Sequence, residues 1–273
     1  VYRGLDIGTA KVSPDVRRRI AHHLIDIRDP SETYSAGEFL ADAMRLVREV
    51  RARGRTPLFV GGTMLYLRAL RQGLARLPSA SVELRRELDE RGAREGWPAL
   101  HAELARVDPV AAARIHPRDP QRIQRALEVY LLSGIPISSQ QRAAPRAADS
   151  AFRVWALVPP RAVLHERIER RFRAMMAAGF LEEVRSLRAR GDLSASSPSV
   201  RAVGYRQLWL HLDGADTLAA AVDRGLAATR QLAKRQLTWL RADETLSVLD
   251  PTADNSYQAW RAALVAGLPE RGR

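Results

Sequence analysis

The sharpest chemical pattern is "LFVGGTMLYLRAL" (58–70), an apolar run that ends in Gly61-Gly62-Thr63 and continues at helical spacing. Glycines let a backbone come close to a ligand, and a helix N-terminus presents free N–H groups to an anion. Thr63 then stands at the carboxyl edge of a predicted sheet, where open α/β sheets receive ligands. The same residues also describe a plain strand-to-helix turn with Thr63 as N-cap.

Three arginine-rich stretches add candidates for holding phosphate. "RGLAATRQLAKRQLTWLR" (224–241) has five basic residues and no acid. At ~100° per residue, Arg224, Arg230, Lys234, Arg235 and Arg241 fall within an arc of roughly 140°. Beside that arc runs an apolar stripe of Leu226, Ala233, Leu237 and Leu240. This suits a phosphate backbone, with Trp239 available to stack on a base; it equally describes a solvated face with Trp239 in the core. "VRAVGYRQLW" (200–209) sets Arg201 and Arg206 either side of Gly204-Tyr205, a short and unspecific cluster that suits a base or phosphate. "RAVLHERIERRF" (161–172) sets Arg167 and Arg171 one helical turn apart, as a diphosphate clamp requires, with Glu166 and Glu169 interleaved as on any charge-rich helix.

Other chemistries find no support. The six histidines make no metal pattern: His22 and His23 are adjacent, so a strand would point them to opposite faces, and the rest stand alone. There is no Cys, which removes disulfides and thiolate metal sites and fits a reducing cytoplasm. The sequence has no G-x-x-x-x-G-K-S/T loop, no G-x-G-x-x-G after a strand and no G-x-S-x-G.

Elements must position these residues, and 273 residues at 46% hydrophobic content suffice for one large domain or two modest ones. No apolar run approaches the ~20 residues of a membrane span. Lysine plus arginine number 44 against 31 acids, and a net +13 attracts nucleic acid, acidic membrane surfaces or phosphorylated substrates. Only Lys11 and Lys234 are lysines, so biased codon usage also contributes to this charge.

Helices dominate the reading. Ser35 and Glu38 form a capping box before Phe39, Ala43, Leu46 and Val50, with a stop at Gly54. Asp119-Pro120 reads as N-cap plus first helical residue, with Gly134 as the stop, and Pro159-Pro160 opens a long helix broken near Gly179. Strands are expected at 23–27, 57–62, 152–158 and 245–250, the middle two as parallel strands buried on both faces. About ninety residues of mostly helical pattern separate 57–62 from 152–158, too many for one crossover. The expectation is therefore an α/β core from 1–77 and 151–273, with an inserted helical domain at 78–150 that closes in the linker-like 138–150.

Taken together, the sequence resembles the tRNA dimethylallyltransferases of the IPP transferase family. The matches are "VYRGLDIGTAK" (1–11), "HLIDIRDP" (23–30), "YSAGEF" (34–39), "VGGTMLY" (60–66), "DPVAAARIHPRDPQRIQRALEV" (108–129), "VGYRQ" (203–207) and "TRQLAKRQLTWLR" (229–241), in the family's order and across almost the whole chain. The resemblance implies a P-loop-kinase-like parallel sheet with an inserted helical domain. It implies transfer of a dimethylallyl group from dimethylallyl diphosphate to N6 of the adenosine 3′ of the anticodon, with Mg²⁺, in a cytoplasmic monomer away from membranes. The adenosine is flipped into a channel that the prenyl donor enters from the other side.

Carried over residue by residue, Thr63 is an active-site residue near the target base. The implied contacts to the tRNA anticodon stem-loop are Thr63, Arg85, Gln121, Arg122, Ile123, Gln124 and Arg125; then Arg201, Ala202, Val203, Gly204, Tyr205 and Arg206; then Lys234, Arg235, Gln236, Leu237, Thr238, Trp239, Leu240 and Arg241. Arg167 and Arg171 match the diphosphate side more loosely. In the family, a D-S-x-Q stretch with the proposed general base directly precedes "VYRGLDIGTAK", and a strand, P-loop and helix come before that. None is in this sequence, so the Mg²⁺ ligands and most diphosphate contacts are expected outside it. The chain by itself is expected to fold poorly, with a split sheet, and not to catalyse transfer. Two other readings are a non-catalytic RNA-binding remnant and a small-molecule kinase of the same core; the basic 200–241 stretch speaks against the kinase.

Overall fold

A computed structural model describes residues 1–143 and 152–266. In chain order the first elements are α1 (Pro14–Arg19), α2 (Ala36–Ala52), α3 (Met64–Gln72), α4 (Val82–Glu95), α5 (Trp97–Val107), α6 (Pro109–Ala112), α7 (Pro120–Ser133) and α8 (Ile137–Ala143). There follow β1 (Trp155–Leu157), α9 (Arg161–Ala177), α10 (Phe180–Ala189), α11 (Tyr205–Leu212), α12 (Leu218–Arg241), β2 (Ser247–Leu249) and α13 (Ser256–Ala266). The chain divides into two compact units, Val1–Leu70 with Ser150–Arg273, and Arg71–Asp149.

The larger unit is mostly helical, with a small parallel sheet. β1 and β2 pair in parallel, with Trp155, Ala156 and Leu157 opposite Ser247, Val248 and Leu249. Its main core joins Leu5 to Ile168 and Phe172 of α9, Phe180, Val184 and Leu187 of α10, Tyr205, Leu208 and Trp209 of α11, and Ala221 and Leu226 of α12. α9 and α12 come close at Gly225, where a Cβ would lie 2.4 Å from the Phe172 ring, so only glycine fits. A second cluster buries Tyr34, Phe39, Ala43 and Leu70, with Phe39 stacked on Tyr66 at 4.3 Å between ring centroids. The smaller unit packs α4 to α8 around Leu88, Leu100, Leu104, Ile123, Leu127 and Ile137.

Three expected elements are corrected. Residues 57–62 are not a buried strand: Val60 is 87% exposed, and the segment pairs with no strand among the described residues. An apolar extended run becomes a strand only where a neighbour takes its N–H and C=O groups. Residues 23–27 are not a strand either, because Leu24 and Asp26 adopt φ of +61° and +57°. Here the ionic partners decide: the Asp26 carboxylate is held by Lys11 at 2.5 Å and Arg17 at 2.8 Å. Tyr2 does make an isolated parallel bridge to Arg28. Finally, 138–143 belongs to α8 rather than a linker, since the Ser138 N–H donates to the buried Asp108 carboxylate at 2.9 Å. Residues 144–150 of that stretch lie outside the described residues.

Candidate functional site

In the larger unit, α12 positions the candidate side chains. Thr217 caps its start, and the helix runs 24 residues, about 36 Å at 1.5 Å per residue. Beyond its close packing at Gly225, Arg230 reaches Glu169 of α9 at 3.3 Å. About 9 Å further along the axis, Gln236 Nε2 donates to the Gly62 carbonyl at 2.8 Å. A Cβ on Gly62 would sit 2.3 Å from that nitrogen, so a larger residue there would make the Gln236 amide shift. The arginine helix, the Gly-Gly-Thr turn and the basic stretch are thereby brought together along one element.

Thr63 sits exposed at the entry to α3. Its carbonyl accepts from the Tyr66 and Leu67 N–H groups at 2.9 and 3.2 Å. No hydrogen bond to its hydroxyl is found among the described residues, so the side chain does not cap the helix.

The basic arc on α12 is split in its use. Arg224 pairs with Asp216 and Arg230 with Glu169, whereas Lys234, Arg235 and Arg241 are exposed and make no ion pair among the described residues. Trp239 is not a core residue: it is 42% exposed, and the Arg68 guanidinium lies 5.7 Å from its ring centroid. The exposed Thr238 hydroxyl donates to the Lys234 carbonyl at 3.0 Å, while Gln236, Leu237 and Leu240 are half-buried.

α9 shows a similar division. Arg170 pairs with Glu166 at 3.0 Å and Arg173 with Glu169 at 2.6 Å, one turn back in each case. Arg167 and Arg171 are exposed and make no ion pair among the described residues. Asp250 lies within electrostatic reach of Arg167, which helps to lower its carboxyl after the larger effect of the Thr252 hydrogen bonds.

Within 201–206 the two arginines, Arg201 and Arg206, are the exposed residues. Ala202 and Val203 are half-buried, and the Gly204 N–H donates to Gln207. Tyr205 is corrected from a surface contact to a core residue, with its ring against Phe180. Its hydroxyl donates to Glu183 at 2.5 Å, and burial, then that carboxylate, pushes the phenol far above its ordinary range. Glu183 also accepts the N–H groups of Asp6, Ile7 and Gly8 at 2.9, 2.7 and 3.1 Å. Sequence reading missed this residue, because nothing in an acidic helix turn reveals partners so far along the chain.

The smaller unit holds the remaining candidates. Gln121 and Arg122 are exposed in the first turn of α7, where Asp119 caps the helix and pairs with Arg122 at 3.4 Å. Ile123 is fully buried in the core and is corrected from a surface contact. Gln124 donates to the Arg85 carbonyl at 3.1 Å and to Asp89 at 2.6 Å. Arg85 and Arg125 converge on Glu128, a carboxylate with no exposure at all. Burial alone would raise its pKa, but the hydrogen bonds from Arg85 and Arg125 outweigh it and hold the carboxyl below the usual range.

With this geometry in hand, the IPP transferase family model matches residues 1–243. The chain belongs to the IPP transferase family. It is 60% identical over 260 residues to the tRNA dimethylallyltransferase of Bordetella petrii, covering 94% of this chain and 83% of that protein. The Bordetella pertussis tRNA dimethylallyltransferase is 55% identical over 274 residues, covering 99% and 88%. Among solved structures, the full-length tRNA isopentenylpyrophosphate transferase from Bacillus halodurans aligns with a TM-score of 0.67 at 37% identity, covering 98% of this chain and 84% of that one.

Two properties of this IPP transferase follow from the described residues. No helix among them is long and apolar enough to cross a membrane. They also contain no group of three His, Cys, Asp or Glu able to hold a metal ion, so the magnesium implied by the resemblance finds no cluster there.

Proposed function

We propose that this IPP transferase modifies tRNA, moving a dimethylallyl group from dimethylallyl diphosphate to N6 of the adenosine 3′ of the anticodon, as a monomer with a P-loop-kinase-like core. The observation that carries the proposal is the Gln236–Gly62 contact, which seats a basic helix against the Gly-Gly-Thr turn in a chain of this family.

The chemistry asks three things of the protein. The N6 lone pair is delocalised into the adenine ring, so the amine attacks only when the allylic carbon is held in line and water is kept away. As the N6–carbon bond forms, the carbon–oxygen bond to diphosphate breaks and its electron pair leaves with the anion, and N6 gives up one of its two protons to water or to the departing diphosphate. Arg167 and Arg171, free of ion pairs on α9, are suited to neutralise that growing charge. Thr63, whose hydroxyl is not used in capping, is suited to meet the edge of a flipped adenine. Lys234, Arg235 and Arg241 fit the RNA backbone, and Trp239 offers a face for an unstacked base. Mg²⁺ is part of the proposal; the described residues hold no group of three His, Cys, Asp or Glu for it, and no step of transfer is assigned to it.

The test is incubation with unmodified tRNA, dimethylallyl diphosphate and Mg²⁺, followed by mass spectrometry of the nucleosides. Appearance of N6-dimethylallyladenosine at one position supports the proposal, with an Arg167→Ala/Arg171→Ala variant losing ~10²-fold in turnover from weaker leaving-group stabilisation. RNA binding without transfer would leave a non-catalytic RNA-binding protein, and absence of both would overturn the proposal.

A further inference from the structure

We infer that Glu128 is a positioning residue for RNA binding: its buried carboxylate holds Arg85 and Arg125 as a ready-made pair of guanidiniums for a single backbone phosphate. The inference rests on the reading of Arg85 and 121–125 as RNA contacts, and adds what sets their geometry.

Three observations carry it. First, the carboxylate is fully buried, and four hydrogen bonds from three residues leave it well satisfied. Arg85 donates Nε to Oε1 at 2.9 Å and Nη2 to Oε2 at 3.1 Å; Arg125 donates Nη1 to Oε2 at 2.6 Å; the Ser81 N–H donates to Oε1 at 3.0 Å. Second, both guanidiniums touch the same oxygen, Oε2, so they are neighbours. Without the carboxylate, two like charges at that separation would push apart.

Third, neither arginine is consumed by the contact. The Arg85 side chain remains 42% exposed and that of Arg125 29%, against 0% for Glu128. A guanidinium has five N–H donors. After Glu128 and, for Arg125, the Pro78 carbonyl at 2.9 Å, each retains N–H groups for a second partner. One acid beneath two arginines leaves a net positive charge at the surface.

A purely structural role explains this arrangement less well. Buried ion pairs generally hold a fold no better than packed apolar residues of the same volume. The fork geometry is what an apolar replacement could not reproduce, and a bidentate guanidinium is the group that matches a phosphate. Gln124 reinforces it by tying α7 to the Arg85 carbonyl, and Gln121 and Arg122 extend the same helix outward.

The test measures affinity for an anticodon stem-loop RNA by fluorescence anisotropy across a salt series, with melting curves for each variant. Arg85→Ala is expected to weaken binding about tenfold and to reduce the salt slope by about 1. Arg85→Lys, which keeps the charge but loses the fork, is expected to weaken it nearly as much. Glu128→Gln, if folded, is expected to weaken binding at least fivefold although no RNA-facing charge is removed. A folded Glu128→Gln protein that binds like wild type overturns the inference. Should that variant not fold, Arg85→Lys decides, and wild-type affinity there overturns it. Wild-type affinity in Arg85→Ala instead sinks the underlying reading of Arg85 as an RNA contact.

Discussion

In the smaller unit, Arg85 and Arg125 are seated on a fully buried carboxylate; in the larger, Lys234, Arg235 and Arg241 extend from α12 with no ion pair among the described residues. Both sets are proposed to meet the same polyanion. The first set is ordered when the protein folds, so it loses little side-chain freedom on binding. The second keeps its rotamers until RNA arrives and gives up ~1 kcal/mol or more of entropy per long side chain at that moment. It also meets phosphate through exposed charge that salt screens readily. The contrast separates a surface suited to fixing register from one suited to long-range attraction.

The contrast breaks most sharply at Glu128. Glu128→Ala removes the acid from beneath two arginines and opens a hole, and it is expected to destabilise the smaller unit by about 1–3 kcal/mol, read from urea unfolding. An unchanged midpoint would show that the pair is not held as described. The unpaired set should respond in binding instead. Replacing Lys234, Arg235 and Arg241 together with Ala is expected to lower affinity for the stem-loop by ~10²-fold at low salt, with a salt slope smaller by about 2 and an unaltered melting curve. The smallest effect is that of acid. Because the folded Glu128 carboxyl is held below its ordinary range, its contribution is complete above the unfolded carboxyl's pKa and is lost as pH falls through the lower folded value. Unfolding midpoints between pH 7 and 3 should fall further in the wild type than in Glu128→Gln.

How much of this was legible beforehand depended on the range of the interactions. The Ser35–Glu38 capping box, the Asp119 cap with Pro120, the stop at Gly134 (φ +69°) and the break at Gly179 all occur as read, because each is settled within a few residues. Arg167 and Arg171 were readable as a pair at helical spacing, though not the fact that Glu166 and Glu169 would choose the other arginines. The 57–62 segment has strand-like composition, yet a strand also needs a partner to pair with, and composition does not encode that. Ile123 and Tyr205 lay inside motifs that carry surface contacts, but burial follows helix phase, and theirs faces the core. Glu128 and Glu183 were invisible for a further reason. Glu128 has a helical neighbour in Arg125, three residues before it, but its other partners include Ser81, 47 positions away, and Glu183 holds Asp6, 177 away, so local spacing does not reveal the clusters.

Glu183 also bears on where an anion can go. Three successive N–H groups, those of Asp6, Ile7 and Gly8, converge on one carboxylate, the kind of concave cradle that captures phosphate in other proteins. In this molecule the cradle is already filled by the protein's own acid, latched from behind by the Tyr205 hydroxyl. An incoming phosphate would have to evict a tethered competitor that never diffuses away. The opening stretch of the chain, for all its glycine and backbone donors, is thus a lock closed with its own key.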